Sequence, residues 1–192
     1  MLTLPIIPTR ACGGCTVCCT ALPVDAPQLR KQAGVDCPQC QVGEGCQIYA
    51  SRPPVCAEFF CGWRALPKLS DDWRPDRSGV MVTFDDQDIP PGYAIRPAFK
   101  LVITQDTVKI DADAFAGYVA GLVEAKIPVF LSLRGPPGHH SAKVFLNDRL
   151  TWPVSTRDRG AILAALEAVF AILQSGTFDS ATLSGPPVAP SP

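Results

Sequence analysis

The sequence predicts an α+β protein, in which an irregular, cysteine-rich module with short helices precedes a mostly antiparallel sheet with two helices. Two observations lead to this fold class. All nine cysteines of the 192-residue chain lie in its first third, and none follows Cys61. Beyond Trp63, runs of β-branched and aromatic residues alternate with stretches of helical periodicity. We therefore expect a cysteine module over 1–65, an α+β domain over 66–175 and a disordered Pro/Ser-rich tail over 176–192.

Two short helices are expected in the cysteine module. The segment VDAPQLRKQAG predicts one of them, with Asp25 as its N-cap and Pro27 in its first turn. The segment PPVCAEFFCGW, residues 53–63, predicts the other, with a proline near its start. Neither segment carries enough apolar surface to be stable alone. The thiols are therefore the groups expected to fix this region, through a bound metal.

The sheet is expected from several short segments of the α+β domain. VMVTF, residues 80–84, is rich in β-branched and aromatic residues and predicts the first strand. YAIRPAFKLVITQ (93–105) and VKID (108–111) predict two or three short antiparallel strands after a turn. VFLSL (129–133) and KVFLN (143–147) predict the remaining strands on either side of a Gly/Pro-rich loop.

Two longer helices complete the predicted domain. DADAFAGYVAGLVEAK predicts a helix capped by Asp111 or Asp113, with its apolar residues at spacings of three and four. STRDRGAILAALEAVFAILQSG predicts a second helix that begins at Ser155 or Thr156 and ends at Gly176.

The overall composition narrows the classes of function. The chain is 47% hydrophobic and 18% charged, which is typical of a folded protein. The net charge is −1 and the Lys and Arg residues are scattered, so no nucleic-acid partner is predicted. The absence of a long apolar run excludes a predicted membrane span. The N-terminal segment is interrupted by Pro5 and Pro8 and resembles no export signal, so we expect a cytoplasmic protein.

The spacing of the cysteines predicts metal binding. Crowded thiols in a reducing compartment are poorly explained by disulfides, and the odd number of cysteines also argues against a fully paired framework. Cys12, Cys15 and Cys18 follow the pattern C-x2-C-x2-C, in which tight turns can bring successive sulfurs to one centre. This pattern is similar to the first three ligands of a bacterial ferredoxin motif, so a fourth ligand must come from elsewhere in the chain.

The adjacent pair Cys18 and Cys19 suggests two metal centres, or one centre and a packed thiol. Neighbouring side chains diverge by about 100° in a helix, which makes a shared metal difficult. Eight thiols would form two four-thiolate centres, with Cys40 as the expected spare. Two zinc ions and two 4Fe–4S clusters carry the same total charge of about +4, so charge alone does not choose between them. The triple spacing favours iron–sulfur, and Cu(I) or free thiols are further alternatives.

Four linked sub-motifs occur in order over residues 12–61. They are C-x2-C-x2-C-C, then C-x2-Y at Cys46 and Tyr49, then R-P-x2-C at Arg52 and Cys56, and finally Cys61. Together they resemble the CxxCxxCC cysteine-cluster family (the YkgJ type), which is described as a zinc- or iron-chelating domain. Similar modules occur in flagellin lysine methylases, where the cysteines are associated with an iron–sulfur cluster.

The resemblance implies a set of metal ligands, and the sequence departs from the family pattern at two positions. The implied ligands are Cys12, Cys15, Cys18, Cys19, Cys46, Cys56 and Cys61, with Cys37 as the eighth. Thr16 stands where the family often has glycine, and Cys40 is an additional cysteine. Arg52 is a candidate hydrogen-bond donor to the bound group, or alternatively a surface arginine before a proline turn. Tyr49 is a candidate shield against water, or alternatively part of a small core.

The α+β domain over 66–175 carries no comparable motif for metal binding or catalysis. His139 and His140 lie in a Gly/Pro-flanked loop without a third spaced ligand, which is more typical of a solvent loop. Five aspartates near the first strand are more typical of solvated turns than of an acidic site: Asp71, Asp72, Asp85, Asp86 and Asp88.

The expected function is therefore metal binding, through an iron–sulfur cluster or zinc, with a structural or electron-transfer role and a protein partner or electron donor. One alternative is an enzyme or enzyme partner, for example in protein modification, that uses the cysteine module as an accessory. Metal trafficking is another alternative.

Overall fold

The computed structural model describes residues 5–41, 43–104, 109–139 and 142–176. It confirms the α+β class. The cysteine module contains α1 (Val17–Ala21), β1 (Val24–Ala26), β2 (Leu29–Lys31), β3 (Cys40–Gln41), β4 (Gly45–Cys46), a 3-10 turn (Tyr49–Ser51), α2 (Pro54–Ala57) and α3 (Gly62–Ala65). The domain that follows contains a 3-10 turn (Asp71–Trp73), α4 (Pro75–Ser78), β5 (Val80–Asp85), β6 (Ala98–Ile103), α5 (Ala112–Glu124), β7 (Val129–Leu133), β8 (Ala142–Phe145), α6 (Asn147–Ser155) and α7 (Arg159–Ser175).

The predicted helix at VDAPQLRKQAG is wrong, because β1 and β2 form an antiparallel hairpin there. Burial alternates along both strands, with Val24, Ala26 and Leu29 buried and the residues between them more exposed. This period of two is that of a strand and not of a helix. Asp25 does not cap a helix but forms an ion pair with the cross-strand neighbour Arg30 at 3.1 Å.

The second predicted helix of the module is present as two short pieces. α2 begins at Pro54, where a missing amide hydrogen costs nothing in the first helical turn. The chain then leaves the helical conformation, and Cys61 is extended, with φ −69° and ψ 154°. α3 begins directly after Cys61. The break places Cys56 and Cys61 on separate elements.

The main sheet has the order β5-β6-β7-β8. Two of its three pairings are antiparallel, as expected, and the pairing of β6 with β7 is parallel. The parallel pair follows from α5, which lies between these strands in the chain and provides the long crossover that such a pair requires. Only β6 forms in the 93–111 region as far as it is described, and residues 105–108 lie outside the described residues.

Both predicted helices of the domain are present, together with a third. Asp111 caps α5 and accepts hydrogen bonds from the backbone of Asp113 and Ala114. α7 begins later than expected, because Ser155 still belongs to α6 and the N-cap is Asp158. α6 was not predicted, and it replaces the end of the strand expected over 143–147. Of the predicted tail, only Gly176 lies within the described residues.

The two faces of the sheet are covered by different layers. Val82, Leu101 and Leu131 belong to the largest hydrophobic cluster, which packs under α5, α6 and α7. The alternate residues Met81 and Val102 pack on the opposite face, against α1 and other parts of the cysteine module. The thiols therefore lie on the sheet face away from the helices. Within the described ranges, no helix combines the length and apolar character needed to cross a membrane.

A buried side-chain amide joins α6 to the start of β7. Asn147 is 2% exposed. Its Oδ1 accepts from the Val129 N–H at 2.8 Å, and its Nδ2 donates to the Ile127 carbonyl at 2.9 Å. Removing the amide would leave the buried Val129 N–H and the partly buried Ile127 carbonyl without this partner.

We expect Asn147→Ala to lower the free energy of unfolding by about 2 kcal/mol. Gly117→Ala is the control, because this exposed position in α5 has no heavy atom within 4 Å of an added Cβ. The control should raise stability by about 1 kcal/mol through helix propensity. Urea unfolding followed by circular dichroism measures both, and an Asn147→Ala variant as stable as the parent would contradict the assigned role.

Candidate metal centre

All nine cysteines are free thiols, and only Cys37 is fully buried. Two of the C-x2-C steps form the expected tight turns. The amide of Cys15 donates to the carbonyl of Cys12 at 3.0 Å, and the amide of Cys40 donates to the carbonyl of Cys37 at 3.0 Å. These turns place both members of each pair on one side of a loop.

Two glycines allow the first cysteine loop to lie directly on the turn between β3 and β4. A Cβ at Gly14 would lie 2.3 Å from the carbonyl oxygen of Gly43. A Cβ at Gly45 would lie 2.3 Å from the carbonyl oxygen of Gly13. Both distances are far below van der Waals contact, so only glycine permits this approach. The contact brings the loop of Cys12 and Cys15 beside the strand that carries Cys46.

The thiols surround two cavities between the cysteine module and the sheet. The larger has a volume of about 360 Å³ and the smaller about 30 Å³. Three thiols line both cavities: Cys12, Cys15 and Cys18. Four line only the larger: Cys19, Cys37, Cys46 and Cys56. Cys61 lines only the smaller cavity, and Cys40 lines neither of the two.

The adjacent thiols of α1 are in contact with each other. The Sγ atoms of Cys18 and Cys19 lie 4.0 Å apart. A hydrogen bond from Cys18 lowers the pKa of Cys19 to about 6, assisted by Cys40 and by the nearby charges of Lys31 and Arg52. The pKa of Cys18 is raised, first by this hydrogen bond to Cys19 and second by burial.

Burial controls the protonation of most of the other thiols. It raises the pKa of Cys15 to about 11. It also raises the pKa of each of Cys40, Cys46, Cys56 and Cys61, where the charges of neighbouring thiols add to the effect. A group that binds these sulfurs as thiolates must therefore displace their protons.

Cationic side chains from both the module and the sheet face the larger cavity. Lys31 is 5% exposed, and its ammonium donates to the carbonyls of Thr20, Leu22 and Gln32. Burial lowers the pKa of Lys31, while the neighbouring thiols Cys37 and Cys19 oppose this shift. Lys31 was not identified from the sequence. A lysine on the inward face of a three-residue strand gives no distinct sequence signal.

Arg52 and Tyr49, the two predicted contacts of a bound group, both line the larger cavity. The Arg52 guanidinium lies 3.8 Å from the centre of the Tyr49 ring. Its hydrogen bonds go to main-chain oxygens, at 3.2 Å to Cys56 and 2.9 Å to Tyr49. Arg64 does donate to a thiol, at 3.4 Å to Cys12 Sγ, and it also donates to the Tyr49 hydroxyl at 3.2 Å. Arg64 was missed, although its position three residues after Cys61 is a usable signal.

The smaller cavity has an unpaired donor in its wall. Trp63 lines this cavity and is 5% exposed. Its indole N–H is buried and has no hydrogen-bond partner in the described part of the chain. Tryptophan has a donor and no acceptor, so an acceptor is what this group lacks.

The other predicted candidates lie away from the thiols. His139 is half-buried in its loop, with Nδ1 3.1 Å from the carbonyl of Pro137, and His140 lies outside the described residues. Asp71, Asp72, Asp86 and Asp88 are exposed, as expected of turn residues. Asp85 is only partly exposed and forms ion pairs with Lys143 at 3.1 Å and Lys100 at 3.5 Å.

Within the described ranges, no three Cys, His, Asp or Glu side chains are grouped so as to hold a metal ion. Comparisons with protein-family models, with curated proteins and with solved structures each give no match. The resemblance to the CxxCxxCC family therefore stays a prediction from the motifs at residues 12–61.

We expect Gly14→Ala to separate the first cysteine loop from the β3–β4 turn, because its Cβ would collide with a main-chain oxygen. In the reduced, metal-free protein, the thiols should then react several-fold faster with Ellman's reagent. Gly43→Ala is the control, since its φ is +83° but the space around an added Cβ is open. This control introduces the backbone strain of a non-glycine residue at positive φ, but it does not introduce the collision with a main-chain oxygen. Equal rates in both variants would show that the close approach is unimportant.

We expect Cys19 to be the thiol alkylated most rapidly in the reduced, metal-free protein at pH 7. Its pKa is lowered to about 6, so it is mainly thiolate at pH 7, and its reaction should slow as the pH falls through about 6. Cys18→Ala removes the donated hydrogen bond and should move this midpoint to higher pH. Peptide mapping by mass spectrometry measures the rate at each cysteine. A midpoint that does not move would contradict the proposed cause.

Proposed function

We propose that the protein binds metal through its clustered cysteine thiolates, and that the metal is held as iron–sulfur clusters with a structural or electron-transfer role. The observation that carries the proposal is the larger cavity, with a volume of about 360 Å³ and seven thiols in its walls. Thiolate sulfur is the preferred ligand of iron–sulfur clusters, zinc and Cu(I). The donor set therefore fits a soft metal centre.

The size of the cavity favours a cluster over a single zinc ion. A structural zinc site holds four sulfurs about 2.3 Å from one ion, and such a site is closed around the metal. An iron–sulfur cluster instead holds its cysteines around a core of several iron and sulfide atoms. A cavity lined by seven thiols offers space for such a core. The C-x2-C-x2-C spacing supports the same choice.

The charges around the larger cavity suit an anionic centre. Two four-thiolate centres, with either zinc or 4Fe–4S, would retain a total charge of about −4. Four cationic side chains line the larger cavity, and its lining contains no Asp or Glu among the described residues: the cations are Lys31, Arg52, Arg64 and Lys100. Lys100 is already paired with Asp85 at 3.5 Å, so Lys31, Arg52 and Arg64 are the cations that would offset the negative charge of the bound groups in a partly dehydrated site.

Individual residues of the wall have distinct tasks in this proposal. Arg64 donates a hydrogen bond to Cys12 Sγ at 3.4 Å and would keep this contact to a metal-bound sulfur. Phe59 and Phe60 line the larger cavity with aromatic rings and limit the access of water, whereas Tyr49, at 44% exposure, lies at its edge toward solvent. When bound, an iron–sulfur cluster supplies a site that can gain and lose an electron. Hydrogen bonds and burial of this kind set the potential of such a site.

A second candidate function is an enzyme or enzyme partner that uses the cavity for a substrate. One observation favours it, because the larger cavity extends beyond the module to Met81, Thr83 and Val102 on the face of the sheet. Ligand sites are commonly apolar cavities between two structural layers, with a few polar groups. This candidate predicts that the metal-loaded protein binds an organic ligand there, which equilibrium dialysis against cosubstrate candidates can detect.

Elemental analysis of protein purified without oxygen tests the proposed function. We expect iron with a matching amount of acid-labile sulfide, and a broad visible absorption that weakens when dithionite reduces the clusters. Zinc without iron would overturn the cluster assignment but retain the thiolate centre. A protein that holds neither metal, even after reconstitution with iron and sulfide, would overturn the proposed function as a whole.

A further inference from the structure

We propose that the larger cavity is a binding site for an organic anion, a molecule with a carboxylate or phosphate head and an apolar body. The head would lie at Arg52 and Arg64, and the body would lie against the sheet at Met81 and Val102. This inference rests on the second candidate function, an organic ligand in this cavity, and it adds the chemical class of that ligand. It does not require bound metal.

The walls of the larger cavity suit an apolar molecular body. The volume of about 360 Å³ lies within the range of cavities that hold small organic ligands. The sheet contributes Met81 and Val102, which are both buried, and the module contributes further apolar side chains: Leu22, Val24, Leu29, Ile48 and Phe59. Protonated thiols behave as small apolar groups and add to these walls. An apolar body that entered the cavity would leave water, which is favourable.

The same walls carry cations that lack anionic partners. Two of the four cations of the lining are already engaged, because Lys31 donates to three main-chain carbonyls and Lys100 is paired with Asp85 at 3.5 Å. Within the part of the chain that the structure describes, neither Arg52 nor Arg64 forms an ion pair with a carboxylate. Two guanidinium groups in a partly buried cavity therefore favour an anion as the ligand.

Tyr49 holds the two guanidinium groups beside each other. Arg52 lies 3.8 Å from the centre of the Tyr49 ring, and Arg64 donates to the Tyr49 hydroxyl at 3.2 Å. The Nε of Arg64 is buried and has no hydrogen-bond partner among the residues that are described. A guanidinium group can donate two parallel hydrogen bonds to one carboxylate or phosphate. The donors that the protein leaves unused thus match the acceptors of an anionic head.

The arginines lie at the end of the cavity that reaches solvent. Tyr49 and Val55 both line the cavity and are 44% and 46% exposed. Arg52 packs on the Tyr49 ring, so its charge is close to this opening, whereas Met81 and Val102 are buried inside. A ligand with a charged head near solvent and an apolar body within the cavity fits this arrangement.

Calorimetric titration with decanoate is the first test. The protein is reduced, handled without oxygen and measured as purified and after treatment with a chelator. We expect one site per chain, with decanoate bound at least tenfold more tightly than decylammonium, which has the opposite charge, and than acetate, which lacks the apolar body. Decanoate binding by either form would support the site. Absence of binding in both forms, or equal binding of decanoate and decylammonium, would overturn it.

Decyl phosphate distinguishes the two possible heads in the same assay. Tighter binding of decyl phosphate than of decanoate would support the site and assign a phosphate head, and the reverse would assign a carboxylate. The metal content of the same samples tests the proposed metal binding separately. A protein without metal that binds decanoate would therefore retain this site, and a metal-loaded protein that binds no probe would lose only this site.

Two substitutions at the opening test where the head lies without disturbing a buried residue. Val55 is exposed in α2, so both Val55→Glu and Val55→Lys should fold. We expect Val55→Glu to weaken decanoate binding several-fold by charge repulsion, and Val55→Lys to retain or strengthen it. Equal affinities of the two variants for decanoate would overturn the placement of the head at this opening.

Arginine variants test the two proposed donors. We expect Arg52→Met and Arg64→Met each to weaken decanoate binding about tenfold, because a hydrogen bond to a charged group is lost. Arg149→Met is the control, since Arg149 is exposed in α6 on the other side of the sheet. Binding of decylammonium should be unchanged in all three variants. Circular dichroism checks the fold, and a folded Arg52→Met, Arg64→Met double variant with the parent affinity for decanoate would overturn the proposal.

Discussion

The crowding of its thiols is the constraint on which the first third of this structure depends, because thiolates placed so close together would repel one another. Sulfurs that share two small cavities can be neutral because they are protonated, or be thiolates because a cation neutralises them. The raised pKa of Cys15, caused mainly by burial, shows the first state, and bound metal would produce the second. The module's own hydrophobic cluster is small. Its hairpin cluster contains only four buried hydrophobic residues: Val24, Ala26, Leu29 and Cys37.

The four-stranded sheet explains how so small a core can be held in place. Its strands have one apolar face for the helices and a second for the module, so their sequences are almost continuously hydrophobic. Met81 and Val102 are buried by the module and not by the helices. Arg10 adds a polar connection, since its guanidinium donates to the main-chain oxygens of Trp63, Leu66 and Leu69. The cavities lie between the thiols and this rigid support.

The fold class, the strand at VMVTF and the cap at Asp111 could be predicted because each rests on a local pattern. The β1–β2 hairpin could not, because Asp25 and Pro27 suit a helix start as well as a strand and a turn. The helix α6 could not be predicted because it contains Pro153, and proline is unfavourable inside a helix. The thiol turns followed from C-x2-C spacing, whereas the division of the thiols between two cavities depends on contacts between distant segments. The positions of Arg64 and Trp63 at the cavities depend on the same long-range contacts, so they could not be predicted either.

The layered arrangement separates the stability of the domain from the state of the thiols. The large cluster under the helices takes only Trp63 from the module among its fully buried residues. The core of β5–β8 and α5–α7 can therefore persist whether or not the thiols hold a bound group. Met81 and Val102 differ, because they are buried by α1 and its neighbours. If the proposed metal is bound, its loss would loosen α1, which carries Cys18 and Cys19, and would uncover this apolar sheet face. Occupancy of the proposed metal site would in this way be coupled to exposure of the sheet, through one short helix.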